Sequence, residues 1–367
     1  MSTKAEWIAL GKQFILELLE EQAAAPGVEL EARLCVRPWR DAPKAIDPHI
    51  LTLARHELLE EGRIDVETAT TRGGSKVAVF HLAPVVRGTK RKITDAAARK
   101  RLLVARWRSW ARASQNSPNL IGEGGEAVVH KSLHKAAAHG YRLIQPSRGE
   151  VTSLFGKDVP GGPLDNGAWL LTVDARTQVP RAPIFVPIEV KNVRHWLYPN
   201  HAETYQLLHK AAGLANEHPE HPVLPVLICW RAHYRLRQLA ADLGFLVFQT
   251  YSQYVLPSER IKPQYFEEVR TELGFEDLQI TDSANPQLVD WLTDTVHREA
   301  VSKSRRWMEF GRHQIDIYAQ LRRDSLSWPE QKDLVEELHK IARNNLPRVR
   351  KWAPSHDPLY EPEISMY

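Results

Sequence analysis

The chain has 367 residues, more than one average domain holds and enough for two or three. Hydrophobic residues make up 43% and charged residues 26%, which excludes a chain disordered by composition, and a net charge of +4 does not by itself require a nucleic-acid partner. Two cysteines, Cys35 and Cys229, exclude a disulfide framework and a cysteine-based zinc finger.

In chain order, residues 5–22 carry Trp7, Leu10, Phe14, Leu18 and Leu19 at helical spacing. Asp47-Pro48 is a helix start, with an N-cap acid and proline in the first turn, and Gly62 is the stop. Residues 64–68 and 76–80 are strand-like, and Gly73-Gly74 supplies the turn between them. Helices followed by a glycine-turned hairpin resemble a winged helix-turn-helix, an α+β module over residues 1–85.

Residues 86–117 form a basic connector helix. Arg87, Lys90, Arg91, Lys92, Arg99, Lys100, Arg101, Arg106, Arg108 and Arg112 are opposed there by one acid, Asp95. Such a run is either a solvated connector or a phosphate-contacting arm giving salt-dependent affinity.

Residues 118–257 alternate helix and strand, the pattern of an α/β core with a mixed sheet. Helices are expected over 123–139, 202–215 and 235–243, with strands over 141–146, 168–173, 184–192, 223–231 and 245–251. Residues 258–367 read as a mainly helical C-terminal region. No apolar run is long enough to span a bilayer, and the first residues lack the apolar stretch of a secretory signal, so a cytoplasmic location without a membrane partner is expected. No Gly-x-x-x-x-Gly-Lys-Ser/Thr occurs, which argues against a self-contained P-loop motor.

The segment Ile184-Phe185-Val186-Pro187-Ile188-Glu189-Val190-Lys191-Asn192 carries the chemistry. Side chains alternate along a strand, so Ile184, Val186, Ile188 and Val190 share one buried face, and Glu189 and Lys191 share the other. Upstream, Asp165 sits at a turn feeding another strand, where a hairpin can bring it to Glu189. Paired carboxylates and a strand carbonyl, here that of Val190, are hard oxygen ligands of the kind Mg²⁺ prefers. Glu123 and Glu126 lie three apart at the start of a helix.

This order resembles the PD-(D/E)xK nuclease superfamily, the restriction-endonuclease-like fold of helix, three-strand meander, helix and strand. The resemblance covers about 140 residues. It implies Asp165 and Glu189-Val190-Lys191 as the signature, Glu126 as the acid of the first core helix and Gln206 as the polar residue of the helix after the lysine strand. Asp174 is the rival for the first acid. The expected cofactor is Mg²⁺, with Mn²⁺ as the alternative ion, held by Asp165, Glu189, Val190 and Glu126, while Lys191 places the attacking water.

The expected activity is hydrolysis of phosphodiester bonds, in DNA before RNA, in the setting of restriction or anti-phage defence. The other reading is a non-catalytic DNA-binding or regulatory protein on a nuclease-like scaffold. Nucleic acid is the expected partner, with Lys90, Arg91, Lys92, Arg99, Lys100, Arg101 and Arg194 as phosphate contacts. A homodimer or a separately encoded partner protein is compatible with the sequence. Arg194, His195, Trp196, Tyr198 and His201, just past the lysine strand, either touch nucleic acid or pack on the core. His130 and His134 lie four apart on a helix, without a third metal ligand in the sequence nearby.

Overall fold

The computed structural model describes residues 3–344 except 41, 43, 72, 73, 75, 86, 87, 114–117, 148, 175 and 324. Gly73 and Arg87, named above, therefore lie outside the described residues. The described chain divides into two compact units. The described residues up to 113 and Ser258–Leu278 make the first, and Pro118–Pro257 with residues 279–344 make the second.

In the first unit, α1 (Lys4–Gln22) starts at a reciprocal cap: Glu6 N–H donates to the Thr3 hydroxyl and Thr3 N–H donates to the Glu6 carboxylate. A two-residue strand β1 (Ala25–Pro26) leads into α2 (Gly27–Leu34). Asp47 caps α3 (Pro48–Glu60) by accepting from His49 N–H at 2.9 Å. Strands β2 (Ile64–Thr70) and β3 (Lys76–Leu82) pair antiparallel from Ile64↔Leu82 to Thr70↔Lys76, and β1 joins the other edge of β3. Phe14, Ile15, Leu18, Leu30, Ile50 and Leu58 form the core beneath.

Helix α4 (Lys90–Trp110) completes this unit with α8 (Pro263–Glu272), which arrives from much later in the chain. Trp110 stacks on Phe266, and Trp107 meets the edge of Phe275. This packing revises the expected phosphate contacts. Lys100 is buried, with its ammonium 2.7 Å from Glu29 Oε1 and 2.6 Å from the Glu272 carbonyl oxygen. Arg99 is held by Glu272 and Glu268, and Arg101 pairs with Glu67. The acids that claim Arg99 lie some 170 positions downstream, out of reach of any local pattern. Lys90, Arg91 and Lys92, at the start of α4, remain exposed.

The second unit is a five-stranded mixed sheet with helices on both faces. Its strands are β4 (Tyr141–Leu143), β7 (Asn166–Leu170), β8 (Ile184–Leu197), β9 (Val226–Ala232) and β10 (Leu246–Gln249), in spatial order β10-β9-β8-β7-β4. A small hairpin of β5 (Ser153–Leu154) and β6 (Lys157–Asp158) interrupts the path from β4 to β7. β4, β7 and β8 are antiparallel neighbours, whereas β8, β9 and β10 run parallel. The parallel steps need crossovers, supplied by α6 (Ala202–Glu217) and α7 (Tyr234–Leu243).

Helix α5 (Leu120–Ala136) covers one face, with Val129 and Leu133 against Ile184, Val186 and Ile188. The opposite face is also buried. Phe185, Leu227 and Cys229 pack against Tyr205, Leu208, Leu236, Trp307 and Tyr318. The expectation that only one face of the 184–192 strand would be covered is therefore corrected: Glu189 and Lys191 project into a packed layer.

β8 also runs five residues further than expected, through a bulge. Lys191 is opposite Cys229 but Trp196 is opposite Arg231, so a step of five positions on β8 answers a step of two on β9. Asn192 pins the bulge. Its amide donates to the Ile121 and Tyr254 carbonyl oxygens, both at 2.6 Å, and accepts from Tyr254 N–H at 3.0 Å. Gly125 on α5 makes room for it, since a Cβ there would lie 2.5 Å from Asn192 Cβ. Gly125→Ala should therefore lower stability by about 2 kcal/mol, through overpacking and a displaced hydrogen-bond set. Urea unfolding checks this; an unchanged midpoint would mean that the bulge does not rely on that close approach.

Candidate functional site

Strand pairing brings the two acids of the signature together. β7 and β8 are antiparallel with Asn166 opposite Ile188, so one step further Asp165 faces Glu189. Asp165 Oδ2 accepts a hydrogen bond from Val190 N–H at 2.6 Å. In a strand the N–H and C=O of one residue point to the same side, so the Val190 carbonyl is aimed toward Asp165 as well. Asp174 is elsewhere: it accepts from Arg176 and Thr177 N–H, both at 3.0 Å, and caps an exposed turn.

Glu189 is buried, and an isolated carboxylate there would be costly. Two ammonium groups compensate it, Lys191 Nζ at 3.0 Å from Oε1 and Lys210 Nζ at 2.9 Å from Oε2. Lys191 also donates to Gln206 Oε1 at 2.9 Å, and Lys210 donates to the Pro163 carbonyl at 2.6 Å. Gln206 and Lys210 are one turn apart on α6, the helix that lies over this face of the sheet. Lys210 was missed at the sequence level; its spacing of four from Gln206 was the available signal.

Electrostatics show an excess of acid. Burial first, and then the Glu189 carboxylate, raise Asp165 to about 7, against the opposing pull of Val190 N–H. Burial also raises Glu126 on α5, with Glu123, Glu150 and Glu189 adding to it. Burial alone would lower Lys191, but Glu189 and Asp165 outweigh it and hold the ammonium charged. Carboxylates whose charged forms are disfavoured by burial and by one another, beside a strand carbonyl, suit a hard divalent cation.

The acids do not all close on one point. Among the described residues, the three His, Cys, Asp or Glu donors that come within 4.8 Å of one another are His195, His201 and Glu203. Glu126, expected as a metal ligand, thus stands near the two sheet acids without joining them in so tight a set. Arg194, expected on a phosphate, is buried with its guanidinium 4.9 Å from the Trp230 ring centre. His130 contacts Asn166 and the Pro146 carbonyl, and His134 contacts the same carbonyl, so both serve the fold.

The raised Asp165 has a consequence for stability. Its ordinary value is 3.8, so between pH 4 and pH 7 the folded state binds the extra proton. Stability contributed at this site must fall as pH rises through that window, and the cost is complete above about pH 7. Asp165→Asn keeps an acceptor for Val190 N–H and removes the charge. With EDTA present, the variant should be more stable than wild type at pH 8 by on the order of 2 kcal/mol, converging near pH 4. Thermal unfolding from pH 4 to 8 tests this, and parallel curves would contradict it.

Among the described residues, no helix is long and apolar enough to cross a membrane. No protein-family model, curated protein or solved structure matches this chain.

Proposed function

We propose that the second unit is a nuclease core of the PD-(D/E)xK kind, hydrolysing phosphodiester bonds with Mg²⁺ or Mn²⁺, and that its substrate is DNA. The element order α5-β4-β7-β8-α6-β9 supports the reading, since it follows helix, three-strand meander, helix, strand. The observation that carries it is the placement of Lys191. Its ammonium is held between Glu189 and Gln206, one residue beyond the backbone N–H that meets Asp165.

Asp165, Glu189 and the Val190 carbonyl would hold the cation. When bound, that cation would stabilise negative charge on the phosphate and favour ionisation of water. Lys191 would orient the attacking water and stabilise charge developing on the phosphoryl oxygens. Gln206 fixes the lysine's direction, which matters because phosphodiester hydrolysis depends chiefly on positioning. Lys210 gives the buried Glu189 carboxylate a second counter-ion.

Supercoiled plasmid, single-stranded DNA and RNA, each with Mg²⁺, Mn²⁺ or EDTA, form the test. Mg²⁺-dependent nicking of DNA is expected. Binding without cleavage of any substrate would favour the scaffold reading instead. The first unit, with its winged-helix-like order, would hold the nucleic acid through Lys90, Arg91 and Lys92. Replacing these three by alanine should flatten the salt dependence of binding by up to about three counterions. An unchanged slope would remove the start of α4 from the binding surface.

A further inference from the structure

We propose that His195, His201 and Glu203 form a binding site for a zinc ion, separate from the site at Asp165 and Glu189. The local fold brings the three together. His195 lies in the bulge of β8, which releases it from regular pairing with β9. His201 is the residue before α6, in extended conformation, and its side chain makes no capping hydrogen bond to the helix. Glu203 stands in the first turn of α6.

The distances suit one ion. His195 Nε2 is 3.5 Å from Glu203 Oε1, and the two imidazole centres are 5.4 Å apart. The three donor atoms all lie within 4.8 Å of one another. Zinc ligands sit at about 2.0–2.1 Å, which places neighbouring donors of a tetrahedron roughly 3.3 Å apart. The His195–Glu203 pair meets that spacing, and the His201 imidazole completes it with a shift of at most about 1.5 Å. The bland alternative is a half-exposed histidine–glutamate ion pair. It accounts for His195 and Glu203, but it leaves unexplained why a second imidazole turns toward the same carboxylate.

Donor type sets the class of ion. Two imidazole nitrogens and one carboxylate favour a borderline transition ion over Mg²⁺, and such three-ligand sets leave a fourth position for water or substrate. The side chains of His195 and Glu203 are 41% and 33% exposed, so an ion can enter and that position faces solvent. Tyr198 packs against His201 and stacks on His233, which limits the swing of the His201 ring.

The test uses the full chain, stripped with EDTA and desalted. Zn²⁺ is titrated in competition with a chromophoric chelator, and Co²⁺ is added separately as a visible probe of tetrahedral geometry. One Zn²⁺ with a dissociation constant of about 1 μM or lower is expected, with intense Co²⁺ d–d bands and no displacement by millimolar Mg²⁺. His195→Ala and Glu203→Gln should each weaken Zn²⁺ at least about tenfold while the far-ultraviolet circular dichroism is unchanged. His134→Ala should bind as wild type. The proposal is overturned by no Zn²⁺ binding up to 100 μM, by unchanged affinity in both site variants, or by loss in His134→Ala. Any of these results leaves the nuclease reading as it stands, because that reading assigns no role to His195 or Glu203.

Discussion

Lys191→Ala should lose at least about a hundredfold in Mg²⁺-dependent cleavage, the loss seen when one preorganised group that stabilises transition-state charge is removed. The fold should survive the change. Glu189 keeps Lys210 as a counter-ion at 2.9 Å, so no uncompensated buried charge is created. The apolar partners of the strand, Ile188 and Val186, face the opposite layer and are untouched. Cleavage and thermal unfolding measured on the same preparations check both halves. A variant that cuts as well as wild type would make Glu-Val-Lys a structural ion pair and remove the basis for the proposed activity. Lys191→Arg separates charge from position: it keeps the cation but cannot fit the same two acceptors, so it should recover only a small part of the rate.

The largest expected loss of stability lies in the other unit. Lys100→Met should cost about 3–5 kcal/mol, because Glu29 is fully buried and would keep only Arg33 as its ionic partner. Burial already raises Glu29 toward the neutral form and lowers Lys100, with their mutual attraction opposing both shifts. The pair therefore holds its charges only together. Replacing both, as Lys100→Met with Glu29→Met, should recover most of the loss, since no buried carboxylate is left unpaired and Arg33, which loses Glu29, is part-exposed and keeps the Thr271 and Glu272 carbonyl oxygens as acceptors. Urea unfolding of the two single variants and the double variant gives the coupling. If Lys100→Met costs less than about 1 kcal/mol, the ammonium is not the counter-ion that allows Glu29 to be buried.

Much of the architecture was legible because local chemistry marks it. Asp47-Pro48 opens α3, Gly244 closes α7 in the left-handed conformation, and Gly140 does the same before β4. Alternation within 184–191 placed Glu189 and Lys191 on a common face. It could not reveal what covers that face, because α6 and the helices from Trp307 onward reach it only in the folded chain. Pairing of Asp165 with Glu189 likewise depends on a register set across residues 171–183, where no repeating pattern fixes the loop. The basic run misled for the same reason. Ten cations in sequence fit either a solvated connector or a phosphate-contacting arm, yet Arg99, Lys100 and Arg106 meet acids or carbonyls from Glu268 to Glu272. The convergence of His195 with Glu203 was hidden by the bulge, since strict alternation gives no account of residues that leave the ladder.

The late arrival of α8 bears on how the protein is made. The first unit is built from residues that leave the ribosome early and a segment, Ser258–Leu278, that leaves after nearly all of the sheet of the second unit. At synthesis rates of roughly 5–20 residues per second, α4 waits on the order of ten to thirty seconds for its partner helix. During that interval Trp107, Trp110 and the buried ammonium of Lys100 have no α8 to close against. The nascent chain thus carries an apolar, basic helix face that a chaperone can hold, while the strands of the α/β sheet are made before α8 and the helices from Trp307 onward that cover the sheet are made after it.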